Sequence, residues 1–490
     1  MKTFIKHIAV VLSVLVFSGC NKWLDVKPTD QITQERLFSE GIGFRNALNG
    51  IYQYIAEGDL YGRNLTWGLN SALAQDYIGN DISQEYQNAA TTFVQTDPTV
   101  LTIGTNIWGN AYKAIANSNK LINEIKTKDT GLFQFGNVEK KLILGEAIAL
   151  RAMLHFELVR LFAPSPAQDQ SGQYIPYIDK YPSYYTAPSP TSTVLQNIQK
   201  DLEEAKNLVA ENDTILNRSS LSAKLNSRLV GTNIAEERFF SFRMMRLNHV
   251  AIAGLLAKVA LYAGDVEKAL NEASYVYTYG PSGTKKWWEF TSSTNAAGVN
   301  IYTKFADDVL FGSFNTDLVA DITAYKGTIV RYRINKQVSS WFPPAERDYR
   351  LNLLIPDAVV SSDLVSQKWI ATNSTGTFRS QQNTFAPVLR LSEIYYIYSE
   401  ALYRKGLTAD ALTILNQVRV GRGKINTFTD QSEAAFYNEL LNEYRREFLT
   451  EGQTIFAYKR LGRSMQISST QLIPMDERFT LKIPEGEVIN

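Results

Sequence analysis

The sequence predicts an all-α fold, in which tetratricopeptide-like helix pairs wind into a superhelical scaffold carrying an irregular, loop-rich region and a few short strands. Three observations predict it. Long stretches such as "NVEKKLILGEAIALRAMLHFELVRLFA" place Leu144, Ile148, Met153, Phe156, Val159 and Phe162 at helical spacings. Two separate segments, "LLAKVALYAGDVEKALNEASYVY" and "IYYIYSEALYRKGLTADALTILNQVR", share a helix–glycine–helix pattern, with Ala269 and Ala411 each five residues past Gly264 and Gly406. The glycine permits the turn and the alanine lets the two backbones approach, as in a helical repeat. Between these segments the helical pattern lapses into Gly, Ser, Thr and Asn interspersed with large aromatics.

Taken in order, the chain opens with Lys2 and Lys6, an apolar run from Ile8 to Phe17, then Ser18, Gly19 and Cys20. A basic start, a short apolar run and small residues describe an export signal over residues 1–19. The run is shorter than the ~20 apolar residues a spanning helix needs. The remaining residues, 20–490, read as one domain. Helical units are expected at about 100–165, 191–280 and 388–462, with irregular segments at about 57–105 and 280–387. Six prolines from Pro164 to Pro190 forbid a long regular element there. Thr191 to Thr193 offer N-caps for the helix that follows. Within the second irregular segment, "DDVLFGSFNTD" and "TIVRYRI" read as short strands, and Asp307-Asp308 as a solvated turn before the first of them. Its aromatic content argues against disorder.

Composition excludes several function classes. Cys20 is the single cysteine, so no intrachain disulfide or thiolate zinc site is possible. Of three histidines, His7 lies in the signal, while His155 and His249 fall in helical patterns and read as packed helix residues. A Ser-His-Asp triad or a multi-histidine metal site therefore lacks material, and no metal or cofactor is expected. Basic and acidic residues number 50 and 49, so polyanions such as nucleic acid are poor partners. Aromatics reach 12%, with 26 Tyr and 7 Trp.

The Ser-Gly-Cys junction resembles a bacterial lipobox, which implies acylation of Cys20 and a stable membrane anchor. From there to the C-terminus the chain resembles the SusD/RagB family of nutrient-binding lipoproteins of Bacteroidetes. "CNKWLDVKPTDQIT" resembles the family's start, and Trp108, Tyr112, Ile115 and Asn119 fit its Trp-x-x-x-Tyr-x-x-Ile-x-x-x-Asn helix. "GEAIALRAMLHFELVRLFA", "LRLSEIYYIYSEALYRKG", "LLNEYRREFLTEGQTIFAYKRLG" and "LKIPEGEV" follow in the family's order. Departures at Gly421-Arg422-Gly423, at Ala457 and at the closing Asn490 concern helix ends and packing. The resemblance implies four tetratricopeptide-like pairs and a ligand-facing irregular region. It further implies a non-enzymatic protein at the outer membrane, facing the cell surface, that passes an oligosaccharide to a SusC-like TonB-dependent transporter.

A sugar presents an apolar C–H face and a rim of hydroxyls, so its site needs an aromatic platform with amides, carboxylates or guanidinium groups nearby. The first irregular segment offers Asp76, Asn80, Asp81, Tyr86 and Asn88, and Trp67 precedes them. The second offers Trp287, Trp288, Tyr325 and Trp341. Trp108 and Tyr112, in the family helix, are expected in the core. Three other readings stay open: a RagB-like peptide binder, a tetratricopeptide assembly lipoprotein, and a helical glycoside hydrolase using two carboxylates.

Overall fold

A computed structural model describes residues 34–91, 96–216, 221, 239–240, 242–278, 286, 288–297, 301–327, 330–370, 382–466 and 470–487. The expected signal, with Cys20, lies outside these residues. Its principal helices are α1 (Gly41–Ile55), α2 (Gln84–Thr91), α3 (Pro98–Lys126), α4 (Gly136–Phe162), α5 (Thr191–Ala210), α6 (His249–Ala263) and α7 (Val266–Thr278), continued by α8 (Leu318–Lys326), α9 (Leu391–Arg404), α10 (Thr408–Gly421), α11 (Glu433–Glu447) and α12 (Thr454–Leu461). Helices α3 to α7 stack in sequence order, α7 packs directly on α9, and α9 pairs with α10. The two hairpins recognised by their glycines are therefore spatial neighbours although a long insertion separates them in sequence. Gly264 and Gly406 turn the chain at φ +84° and +79°, and Ala269 and Ala411 are fully buried where the helices cross.

Local chemistry accounts for the helix starts. Asp97 accepts the backbone N–H groups of Thr99 and Val100 ahead of Pro98, so α3 begins with a filled cap. Asn248 does the same for Val250 and Ala251 at α6. The expected threonine caps on α5 are corrected: the helix begins at Thr191 itself, whose hydroxyl donates to the Gly172 carbonyl at 3.1 Å. That bond fastens α5 to the short ribbon of β1 (Gln173–Ile175) and β2 (Ser189–Pro190).

Helix α4 is buried around its whole circumference from Glu146 onward, so its polar side chains must find partners inside the protein. Arg151 donates to both oxygens of Asp201 at 2.7 Å and to Asn119 at 3.0 Å. Glu146 holds Arg243 and Arg246, and Glu157 holds Arg160. His155 donates through Nδ1 to the Arg151 carbonyl (2.9 Å) and accepts the Ile178 N–H on Nε2 (3.0 Å). Burial pushes its pKa down to about 3, so it is a neutral packing residue, as its helical setting predicted.

The insertion carries β3 (Val309–Phe314), which pairs antiparallel with β6 (Phe385–Arg390), and the ribbon of β4 (Leu354–Pro356) and β5 (Leu364–Ser366). "DDVLFGSFNTD" thus contains its strand. "TIVRYRI" does not: in its described part only Ile334 makes an isolated bridge, to Tyr77. Tyr332 sits at φ +54°, in the left-handed region, which breaks a strand at that point. The turn before β3 also needs correction. It forms over Ala306–Asp308, but Asp308 is fully buried, pairs with Arg422 and accepts the Thr291 N–H at 2.5 Å.

That pair belongs to a buried charge network fastening the insertion to the end of α11. Arg350 bonds Asp348 (2.6 Å), Glu443 (2.8 Å) and Glu447 (3.1 Å). Glu447 also receives Arg422 at 2.5 Å and the Ser392 hydroxyl at 2.8 Å. Arg390 and Lys368 both meet Glu451 at 2.6 Å. Gly452 follows in a left-handed conformation, and a Cβ there would lie 2.6 Å from the Thr66 carbonyl, so only glycine lets this corner touch the 57–86 segment.

Candidate functional site

The two irregular segments meet each other. Ile78 N–H donates to the Arg333 carbonyl (2.9 Å), Tyr332 N–H to Asp81 (3.0 Å) and Asn335 N–H to Asp76 (2.9 Å). Asp81 accepts both the backbone N–H and Nε of Arg333 at 2.8 Å, while Arg333 Nη1 reaches Asp363 at 2.9 Å. Residues 75–83, 331–335 and 357–366 are thereby locked into one loop assembly.

Under this assembly lies an aromatic cluster. Trp67 meets Tyr325 and Tyr332 edge-on at 5.6 and 5.4 Å, and Tyr77 meets Tyr332 at 5.1 Å and 90°. These offset geometries suit the ring quadrupoles. Trp67 Nε1 donates to the Gly62 carbonyl at 2.9 Å, and the Tyr77 hydroxyl to the Trp67 carbonyl at 2.7 Å. Arg63 stacks 4.0 Å from the Tyr325 ring centre. A cleft of about 300 Å³ opens on the flank of the cluster. Tyr77, Tyr332 and Trp369 border it although each ring is buried, at 5%, 2% and 2% exposure, while Thr323 and Lys326 come from α8 and Ile370 is 40% exposed. Trp369 is oriented by its Nε1, which donates to the Thr450 carbonyl at 3.0 Å.

The expected ligand residues divide by their surroundings. Asp76 is fully buried, its carboxylate accepting the Thr450 N–H at 2.8 Å. Asp81 holds Arg333, so both carboxylates brace the loops. Tyr86 is enclosed, donates to Asn64 at 2.5 Å and lies 6.3 Å from the Tyr325 ring. Tyr325 is half-buried within the cluster. Asn80 is exposed, and Asn88 donates to Asp97 at 2.6 Å, supporting the cap of α3. Trp341 packs elsewhere, under Arg445 at 4.7 Å. Trp288 is buried, with Nε1 donating to the Val309 carbonyl at 3.0 Å, and borders a separate groove of about 640 Å³ beside Lys286, Phe290 and Val420. Trp287 lies outside the described residues. Trp108 is in the core and Tyr112 half-buried against it.

Sequence reasoning missed Lys326, Tyr332 and Trp369 at the cleft. Lys326 directly follows Tyr325, which was singled out; Tyr332 was hidden inside an apparent strand. It also passed over Tyr184 and Tyr185, the two aromatics most exposed among the described residues, at 84% and 68%.

Burial raises the Asp76 carboxyl from the ordinary 3.8 to about 7, against the lowering pull of the Thr450 N–H and Arg445. An acid whose folded pKa is raised costs nothing below about pH 4 and its full penalty above about pH 7. Asp76→Asn is therefore expected to be more stable than the parent at pH 8, by at least about 1 kcal/mol, with the difference vanishing near pH 4. Thermal melts across that range check it.

Among the described residues no helix is long and apolar enough to cross a membrane, and no three His, Cys, Asp or Glu cluster to hold a metal ion. No curated protein matches the sequence. Solved structures do match. A SusD superfamily protein from Bacteroides thetaiotaomicron VPI-5482 superposes with a TM-score of 0.66 at 18% identity, covering 91% of this chain and 97% of its own. Two proteins from Bacteroides vulgatus ATCC 8482 superpose at 0.67. One, a SusD-like carbohydrate binding protein, is 18% identical and covers 91% and 96% of the two chains. The other, a SusD superfamily protein, is 20% identical with the same coverage. At this identity the likeness establishes the fold. Sequence profiles carry the family: one described as "Starch-binding associating with outer membrane", of SusD-like type, matches residues 22–227, and one described as "SusD family" matches residues 361–482. With both ends of the chain matched and the whole fold shared, this protein belongs to the SusD/RagB family.

Proposed function

We propose that the protein binds a carbohydrate in the cleft between α8 and the 330–370 loops and delivers it to a SusC-like TonB-dependent transporter, anchored to the outer membrane through Cys20 and facing the cell surface. The observation that carries the reading is a cleft of about 300 Å³ built where the two irregular segments meet, over a bed of buried aromatic rings. Its volume suits one or two sugar rings and its walls combine apolar rings with charged and hydroxyl groups, the pairing a saccharide needs. The matched SusD-like structure described as carbohydrate binding supports the same class of ligand. We read the interaction as binding without turnover: Asp76 accepts the Thr450 N–H, Asp81 holds Arg333, and Asp357, the carboxylate in the cleft wall, holds Arg331. Within this reading Asp81, Tyr86 and Tyr325 shape the site from beneath.

Thr323 is exposed, lines the cleft, and donates its hydroxyl within α8 to the Val319 carbonyl at 2.7 Å. Thr323→Trp is expected to fill the cleft, abolish calorimetric binding of oligosaccharides and leave the melting temperature within a few degrees of the parent. Undiminished sugar binding by a folded Thr323→Trp variant rejects this location. Binding of mixed oligopeptides and of no sugar moves the protein to the peptide-binding branch.

A further inference from the structure

We infer that the ligand of this cleft is an acidic saccharide, one whose carboxylate or sulfate group is received by Lys326; the inference rests on the carbohydrate reading above. Three charged side chains line the cleft: Lys326, Arg331 and Asp357. Two of them cancel. Arg331 Nε donates to Asp357 at 2.9 Å and its Nη2 lies 2.8 Å from the same oxygen. Asp357 also accepts the N–H groups of Val359 (2.9 Å) and Val360 (2.8 Å). That carboxylate is saturated with donors, so it neither repels an incoming anion nor reaches Lys326.

Lys326 is left as the uncompensated charge in the wall. Its ammonium stands 5.3 Å from the Trp67 ring centre and 5.0 Å from that of Tyr332. The ring faces attract a cation but offer no lone pair to its three N–H donors. Among the described residues it makes neither a hydrogen bond nor an ion pair. Other lysines taken into this protein are treated differently: Lys304 donates to the Phe385 carbonyl at 2.7 Å, Lys459 to the Arg160 carbonyl at 2.8 Å, and Lys368 meets Glu451 at 2.6 Å. Burial lowers the Lys326 pKa to about 8 with no carboxylate to offset it, as expected of an ammonium whose counter-charge arrives with a ligand. A neutral sugar would accept a hydrogen bond from it, but only an anion would restore the electrostatic balance lost on burial.

The test is calorimetric binding by the chain from residue 20 onward of two matched pairs: oligogalacturonate with its full methyl ester, and a sulfated galactan oligosaccharide with its desulfated form. The expected result is that the anionic member of at least one pair binds about tenfold or more tighter than its neutral partner. Lys326→Met, whose stem still packs on Trp67 and Tyr332, should erase the preference, and Lys326→Arg should restore it. The pair that responds distinguishes carboxylate from sulfate. Equal or tighter binding of the neutral members, blocked by Thr323→Trp, overturns the inference and leaves the carbohydrate reading intact. An anionic preference that survives in a folded Lys326→Met variant overturns the assignment to this residue. Binding of oligopeptides with no saccharide bound in either pair overturns both.

Discussion

Glu447→Ala is expected to lower the stability of the protein by about 3–5 kcal/mol, because it leaves buried cations without their partner. Glu447 is fully enclosed and receives Arg422, Arg350 and the Ser392 hydroxyl. Its carboxyl is held far below the ordinary carboxylate range: burial opposes ionisation, and Arg422 and Arg350 more than reverse that effect. Losing the carboxylate leaves Arg422 with Asp308 alone and Arg350 with Asp348 and Glu443. The insertion is tied to the solenoid through these same groups, so the 306–308 turn and the 348–353 turn should loosen first. Chemical denaturation measures the loss, and hydrogen exchange locates it. A loss under about 1 kcal/mol, with exchange unchanged in those turns, would mean that the apolar contacts alone hold the insertion in place.

Trp67→Ala carries the second large effect. Trp67 is almost wholly buried, and removing so large a buried ring costs about 3–5 kcal/mol in transfer and cavity terms. The change should also reach the cleft, since the same ring supports Tyr325, Tyr332 and the Lys326 ammonium. Trp67→Phe is expected to recover part of the stability and part of the ligand binding together. If binding persisted in Trp67→Ala at a temperature where the variant remains folded, the aromatic cluster would be a core feature without a bearing on the cleft.

Much of the architecture was legible because helices announce themselves locally. The periodic apolar residues of α4 and the Gly264 and Gly406 turns need only neighbours in sequence to be read. The direct packing of α7 on α9 was not legible from spacing, because a long insertion separates those hairpins. The buried network escaped for a related reason. Asp308 looks like a surface turn until Arg422, more than a hundred residues on, is seen to cover it. "EYRREFLTEG" was recognised as a family block, yet its composition alone reads as a solvated helix face.

The site was legible by region and much less by residue. Each irregular segment could be marked out from its composition, but not that the two meet; Asp81 belongs to the loop assembly they form, and Tyr325 to the aromatic cluster beneath it. What periodicity could not supply was the direction of each side chain. Tyr86 and Trp288 are aromatic residues in loop-rich segments, as a platform would be, but each turns inward to a specific acceptor, Asn64 and the Val309 carbonyl. Lys326 was overlooked because a lysine at a helix end is ordinarily solvated, and only the fold shows this one lodged over two rings, with no ion pair among the described residues.

The most direct test of the account is a crystal structure of the protein with a bound oligosaccharide, taken with whichever member of the matched pairs binds most tightly. The account predicts a sugar ring between Thr323 and Ile370, with a carboxylate or sulfate oxygen within hydrogen-bonding distance of Lys326 Nζ. An oligosaccharide seated instead in the groove beside Trp288 and Val420, with the α8 cleft empty, would contradict it.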